Sequence, residues 1–130
     1  MALQVELVSP ERILFSGEAT MVVARTEGGG EIAFLTGHAP FVSALGIGAV
    51  RIMPSSGAPE EKAAVHGGFV EVKDNRVTIL SDVAELASQI DVERARKAKE
   101  EAERRLMNGD DVECEAALRR AHVRLLVAGA

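Results

Sequence analysis

The stretch DVERARKAKEEAERRLMNGDDVECEAALRRAHVRLLVA, residues 91–128, is where the hydrophobic pattern of the chain changes its period. Asp91 is a suitable helix N-cap, and the Asn-Gly pair at 108–109 predicts a helix end because Gly readily adopts the left-handed conformation. Asp110 or Asp111 can then cap a second helix. Because the joining turn is short, the pattern predicts an antiparallel two-helix hairpin.

The apolar faces of both predicted helices are thin and rich in Ala. The face of the first helix comprises Val92, Ala95, Ala98, Ala102 and Leu106. The face of the second helix comprises Cys114, Ala117, Leu118, Ala121 and Leu125. Small side chains bury little apolar area, so the hairpin is expected to be held weakly. Two interpretations stay open: a mobile element with two packings, and a hairpin fixed permanently on the rest of the chain.

The first helix is also expected to carry three pairs of opposite charge. These are Glu93 with Lys97, Glu100 with Arg104, and Glu101 with Arg105.

Before residue 81 the pattern has period two, which predicts short strands. The clearest alternating runs are 3–7, 21–26, 31–35 and 77–80. Turn residues are expected to separate the strands at 16–17, 28–30, 54–57, 67–68 and 74–75. Turns this frequent leave no room for helical crossovers, so they predict an antiparallel sandwich or barrel. The whole is an α+β chain: an N-terminal antiparallel β-sandwich, 1–87, followed by a C-terminal antiparallel two-helix hairpin, 88–130.

Composition limits the class of protein. A chain of 130 residues is expected to form one compact body, and its net charge of −5 argues against a general nucleic-acid binder. With no Trp or Tyr and four Phe, the core must be filled by Val, Ile, Leu and Ala. The lone Cys114 excludes an intrachain disulfide. The N-terminus lacks the features of a signal peptide, so we expect a cytoplasmic chain that works at a membrane only if another protein holds it there.

The stretch TEGGGEIAFLTGHAPF, residues 26–41, invites a phosphate-loop or catalytic interpretation that its details disfavour. No Gly-Lys-Ser/Thr follows the glycines, and no strand-helix-strand unit surrounds them. A turn is therefore the favoured interpretation. His38 has no paired Cys or acidic cluster at ligand spacing, which disfavours a metal site, and catalysis by His38 is disfavoured as well. Pro40 stiffens the segment into a presented loop.

Four arginines form a candidate anion site or contact surface. Asp91 and Arg94 lie within one helical turn, and Arg120 and Arg124 are stacked four residues apart. If the hairpin closes, these three arginines face one another, and an anion such as a nucleotide triphosphate would relieve their repulsion. A solvated basic face is the simpler alternative. A third is that Arg119, with Arg120 and Arg124, meets an acidic patch on a larger partner.

Four segments in this order and spacing resemble the epsilon-subunit family of bacterial F-type ATP synthases: GEIAFLTGHAPF at 30–41, GGFVEVKDNRVTILSDVAE at 67–85, IDVERA at 90–95 and ALRRAHVRLLV at 117–127. The resemblance implies a noncatalytic subunit of the rotor stalk. Its sandwich is expected to bind the gamma subunit and rest on the ring of c subunits, coupling ion-driven rotation, by protons or sodium ions, to ATP synthesis. By the same resemblance Glu31 would lie toward the ring and His38 toward gamma. The location implied is the cytoplasmic face of the bacterial cell membrane, through the complex alone.

The resemblance also implies a regulatory role for the hairpin. In this family the hairpin has a compact form against the sandwich and an extended form along gamma, which reaches the alpha and beta subunits and obstructs ATP hydrolysis. By this resemblance, the residues here that would make the inhibitory contact are Arg119, Arg120 and Arg124. No cofactor is required, but some members bind ATP in the compact form as a regulatory ligand. The residues here that are similar to that ATP site are Glu85, Ile90, Asp91, Arg94, Arg120 and Arg124.

Two other function classes remain as alternatives. An independent small-ligand sensor would use the hairpin as a lid and would need no partner. A small enzyme built around His38 would need an orienting acid or a nucleophile, and the sequence places neither nearby.

Overall fold

The computed structural model describes residues 2–109 and 112–129, in which seven strands precede two helices. The strands are β1 (Leu3–Val8), β2 (Ile13–Arg25), β3 (Glu31–Leu35), β4 (Phe41–Pro54), β5 (Glu61–Lys73), β6 (Arg76–Leu80) and β7 (Ala84–Leu86). A one-turn 3₁₀ helix, Ala87–Gln89, leads into helices α1 (Val92–Met107) and α2 (Val112–Ala128). The predicted α+β fold, a strand-rich N-terminal part followed by a helical hairpin, is confirmed.

The strands form one sheet that closes on itself. Its order is β1-β6-β5-β4-β2-β3, and β1 also pairs with β2, which completes a ring of five strands. The long strands β2, β4 and β5 each serve more than one neighbour, as when β5 pairs with β7 near its start and with β6 near its end. Closure removes most free sheet edges and encloses the core.

One strand pair departs from the antiparallel prediction. Strands β1 and β6 are parallel, with Val5 opposite Val77 and Leu7 opposite Ile79. No helical crossover is needed between them, because β2 to β5 lie between these strands in sequence and make the connection themselves. The expectation that parallel pairing requires a helix was therefore wrong for this pair.

Three of the five predicted turns are confirmed. The 28–30 and 54–57 segments join strands, and Asp74 and Asn75 both adopt positive φ, at 51° and 59°, in the two-residue link between β5 and β6. The turn predicted at 16–17 was wrong, because that segment lies inside β2 and pairs with β1. The turn at 67–68 was also wrong. These two glycines lie inside β5, where the strand changes partner from β7 to β6.

The core consists almost entirely of aliphatic side chains, as the composition predicts. Sixteen buried residues form its main cluster, in which Phe34 is the one aromatic residue among those described. The free thiol of Cys114 is also buried, in the hairpin. No helix in the described ranges is long and apolar enough to cross a membrane.

The hairpin begins as the sequence predicts. Asp91 is the N-cap of α1, and its Oδ1 accepts a hydrogen bond from the Arg94 amide at 3.0 Å. Asn108 ends α1. The proposed caps Asp110 and Asp111 lie outside the described residues. The ion pairs on α1 differ from those predicted, since Glu93 pairs with Arg96 and Glu101 pairs with Arg104, both three residues apart. Spacings of three and of four residues both place side chains on one face of a helix, and the pairs here use the spacing of three.

Gly68 is required by the partner change within β5. Its φ is +119°, and a Cβ added there would lie 2.1 Å from the backbone oxygen of Leu80. Gly68→Ala is therefore expected to lower the free energy of unfolding by about 3 kcal/mol or more, measured by urea denaturation. Gly30→Ala is the control, because no atom lies within 4 Å of its added Cβ, and it should stay within about 0.5 kcal/mol of wild type. Equal stability of the two variants would contradict this account of β5.

Candidate functional site

Helix α2 lies between the sheet and α1. Val123 and Val127 form a buried cluster with Ala64 on β5 and with Ile90, which precedes α1. The predicted face of α2 is confirmed at three positions, Cys114, Ala121 and Leu125. The face formed by Val123 and Val127 was missed, although their spacing of four residues is a helical signal. The hairpin is therefore docked on the sheet in this structure by a second apolar face.

Docking places residues of the sheet and the hairpin around one recess of about 270 Å³. Its lining consists of Glu85, Gln89, Asp91, Arg94, Ala95, Ala98 and Arg124. Glu85 belongs to β7, Gln89 ends the 3₁₀ helix, and Arg124 belongs to α2. The remaining lining residues belong to α1 and its N-cap, so the recess is built from four elements and exists only while α2 stays docked.

The recess contains an ion pair between the two parts of the chain. Arg124 Nε donates to Glu85 Oε1 at 2.5 Å, and both side chains are about 70% buried, with exposed fractions of 27% and 30%. A hydrogen bond between two charged groups is stronger than one between neutral groups. The pair therefore neutralises Arg124 and links α2 to β7.

Arg94 is the cation of the recess that forms no ion pair with any residue in 2–109 or 112–129. Asp91 lies beside it, but one carboxylate oxygen of Asp91 already accepts from the Arg94 amide. Arg94 is an exposed residue, and its guanidinium carries planar donors that match phosphate or carboxylate oxygens. The arrangement can hold an anion at Arg94 and a hydroxyl or amine group at the carboxylates.

The structure separates the six residues of the predicted ATP site. Glu85, Asp91, Arg94 and Arg124 line the recess, whereas Ile90 is buried in the apolar cluster. Arg120 is not among the lining residues, because it pairs with Glu113 at 2.7 Å, two helical turns earlier. Arg120 and Arg124 each pair with a carboxylate of the chain itself, so the three arginines do not gather unpaired around one recess.

Arg119 lies apart from this recess. It is exposed and borders another depression, of about 480 Å³, together with Glu27, Gly46 and His66. The three arginines proposed for an inhibitory contact are thus in three different environments: one exposed, one paired within α2 and one paired with β7.

Gln89 is a recess residue that sequence reasoning missed. Its side-chain oxygen accepts a hydrogen bond from the Leu86 amide at 3.0 Å, which fixes the 3₁₀ turn beside the recess. A lone Gln between two elements gives no sequence signal of its own.

Glu31 and His38 lie on β3 and the loop that follows it. Glu31 is exposed opposite Arg25. The ring of His38 packs edge-on against Phe34, with centroids 5.1 Å apart, and its Nδ1 lies 2.7 Å from the Ala39 oxygen. Among the described residues no carboxylate forms an ion pair with His38, and no cluster of three metal-ligating side chains occurs.

Two family models match the chain. The beta-sandwich domain of the ATP synthase delta/epsilon chain matches residues 2–87, and the long alpha-helix domain of the same chain matches residues 88–129. The chain belongs to the ATP synthase delta/epsilon chain family. One relative, an ATP synthase epsilon chain of Halalkalibacterium halodurans, is 47% identical over 98% of this chain and 97% of its own length. Another, from Thermobifida fusca, is 48% identical over 97% of this chain and 91% of its own.

A solved structure supports the same delta/epsilon fold. It is a chain in the cryo-EM structure of the Euglena gracilis mitochondrial ATP synthase, described as OSCP/F1/c-ring in rotational state 1. The TM-score is 0.83 at 25% identity, and the match covers 99% of this chain and 82% of that chain. A second match, to the central stalk and c-ring of the Tetrahymena thermophila enzyme, has 16% identity and a TM-score of 0.57, which supports the fold alone.

The N-cap role of Asp91 is separable from any role in ligand binding. Asp91→Ala is expected to destabilise α1 by about 1 kcal/mol, because the Arg94 amide loses its acceptor. Asp91→Ser keeps a hydrogen-bond acceptor and is expected to destabilise α1 by only a few tenths of a kcal/mol. Hydrogen exchange of the first-turn amides of α1 measures both. If Ser proved as damaging as Ala, the carboxylate would act through something other than capping.

Proposed function

We propose that this chain is the epsilon subunit in the central stalk of a bacterial F-type ATP synthase. Family membership and the similarity to an ATP synthase chain solved with F1 and the c-ring support the assignment. In this proposal the sheet domain, 1–87, binds the gamma subunit and rests on the c-ring, coupling ion-driven rotation to ATP synthesis. The chain itself is noncatalytic. It is held at the cytoplasmic face of the cell membrane through the complex.

Residues Glu31 and His38 are the proposed contacts of the sheet domain. Glu31 is exposed at the start of β3, where a carboxylate is free to meet a polar loop of the ring. His38 is fixed between Phe34 and Phe41 in a loop that Asn75 also anchors, through a 2.7 Å hydrogen bond from the Gly37 amide. A loop anchored in this way offers a fixed surface to gamma at little cost in entropy.

The hairpin, 88–130, is the proposed regulatory domain, and the recess between it and the sheet is the observation that carries this proposal. Glu85 and Arg124 come from the two parts and meet only in the docked form. In that form Arg120 and Arg124 are also occupied by carboxylates of the same chain. Undocking would release Arg124 from Glu85. An extended hairpin could then present it, with Arg119 and Arg120, to acidic surfaces of the alpha and beta subunits and obstruct hydrolysis.

ATP is the proposed regulatory ligand of the docked form. Arg94 supplies an uncommitted guanidinium for phosphate oxygens, beside the Glu85–Arg124 pair. The recess is slightly smaller than the usual range for small-molecule sites, which begins at about 300 Å³, so only part of a nucleotide would be enclosed. A ligand that contacts both parts binds only the docked form and shifts the population toward it.

ATP binding is tested by calorimetry on the full chain. Arg94→Gln is expected to weaken binding about tenfold or more, because a charged hydrogen bond to phosphate is lost. The control is Arg96→Gln, which removes the same charge from α1 at a side chain paired with Glu93 outside the recess. Wild-type heats with Arg94→Gln, or no heat from wild type at millimolar ATP, would overturn the proposed ligand.

The regulatory role is tested by ATP hydrolysis in a rebuilt catalytic complex of alpha, beta and gamma subunits. A chain ending at Gln89 is expected to give hydrolysis at least about fivefold faster than the full chain, since the hairpin is absent. Val127→Asp keeps the hairpin but breaks its contact with the sheet, so hydrolysis should be slower than with wild type. Leu126→Asp is the matched control at an exposed neighbouring site.

Binding of each variant to gamma is measured first, by co-elution in size exclusion. Failure of the wild-type chain to co-elute would overturn the assignment to the stalk and favour the ligand-sensor alternative. Co-elution with equal hydrolysis for all variants would leave a coupling subunit and remove the regulatory role.

A further inference from the structure

His66 is a buried histidine at the contact between the sheet and the hairpin. It lies two residues after Ala64 on β5 and so shares the face of the strand that packs under α2. Its side chain is only 3% exposed. Neither ring nitrogen has a hydrogen-bond partner among residues 2–109 and 112–129. Buried polar atoms are almost always paired, so this unpaired ring is unusual.

The charged groups around His66 come from β7, from α2 and from the two loops that precede β3 and β7. Glu85 on β7 has its Oε1 4.0 Å from His66 Nε2, which is beyond hydrogen-bond distance. Arg124 and Arg120 on α2 lie close enough to act on the ring electrostatically. The other charged residues that border the depressions beside it are Glu27, Asp82 and Arg119. The nearest carboxylate, Glu85, is already bonded to Arg124, so the attraction that it offers a protonated ring is outweighed by the repulsion from that arginine.

We propose that His66 is an acid-sensitive latch whose protonation detaches α2 from the sheet. With a neutral ring the contact is apolar and the hairpin stays docked. A protonated imidazolium buried beneath Arg120 and Arg124 would have to shed its hydration and face like charges. Undocking exposes the ring to water and separates it from both arginines. His66 acts here on contacts within the chain, whichever complex the chain joins.

The pH range over which docking weakens follows from the direction in which the pKa of His66 is shifted. Burial, and then the positive charge of Arg124, lowers the pKa of His66 from 6.5 to about 4 in the docked form, against a smaller opposing effect of Glu85. In the undocked form the ring regains its ordinary pKa of about 6.5 and binds a proton more readily. Docking is therefore fully stable above pH 6.5 and weakens as the pH falls from 6.5 toward 4.

The test is hydrogen exchange of α2 amides in the full chain at pH 7.5 and 5.0, corrected for the intrinsic effect of pH on exchange. Protection of α2 is expected to fall by about 30-fold between these pH values, while protection of the β1 and β2 core amides is retained. His66→Gln should lose most of this difference. His122→Gln, at an exposed histidine on α2, should keep it. Equal protection of wild type at both pH values, or an undiminished fall in His66→Gln, would overturn the latch.

A second measurement does not depend on how the His66 variant folds. An NMR titration of the histidine rings in the wild-type chain should place the pKa of His66 below 5. In Val127→Asp, which breaks the apolar contact, it should rise toward 6.5. A His66 that titrates near 6.5 in the docked wild-type chain would exclude the proposal.

Discussion

The contact of Val123 and Val127 with Ala64 and Ile90 is the interaction on which the rest of the site depends. It joins α2 to the sheet, and α1 reaches the rest of the molecule mainly through α2. Only a few small and medium side chains are involved, so the apolar contribution to docking is modest compared with that of the main core. A contact of this size can hold the hairpin and still be overcome by a ligand or a partner.

Polar groups at this junction adjust the docking equilibrium more than they create it. The Glu85–Arg124 pair is partly exposed, and pairs of this kind contribute little to stability after solvent screening. The Glu85–Arg124 pair contributes to specificity instead, because it sets the charge that a ligand meets in the recess. Arg94 adds an uncommitted donor there, while His66 adds a buried base beneath the arginines. Each responds to a different signal, the first to an anion and the second to a proton.

The sequence predicts the helices better than the details of the sheet. Asp91 and the Asn-Gly pair at 108–109 mark the ends of α1 because capping depends on local residues. Gly67 and Gly68 look like a turn in sequence, but pairing of β5 with successive neighbours keeps them in the strand. Local chemistry cannot distinguish these cases, because tertiary hydrogen bonds decide between them.

The candidate site was predictable in part for the same reason. Asp91 and Arg94 lie one turn apart, so the sequence alone places them together. Glu85 and Arg124 come from distant segments, and only the resemblance to a family grouped them. The second face of α2 was missed because Val123, Leu125, Leu126 and Val127 surround the helix near its end. That pattern does not say which side meets the sheet. Likewise, no spacing rule predicts that Arg120 forms its ion pair with Glu113.

The Val123 and Val127 face holds the hairpin on the sheet. This role is tested by pulsed electron spin resonance between labels at Ser55, in a sheet turn, and Met107, at the tip of the hairpin, with Cys114 replaced by Ala. At pH 7.5 we expect one narrow distance distribution, which Leu126→Asp should retain. A longer and broader distribution is predicted when Val123→Asp and Val127→Asp are combined. An unchanged narrow distribution in that double variant would show that these two valines do not hold the hairpin on the sheet.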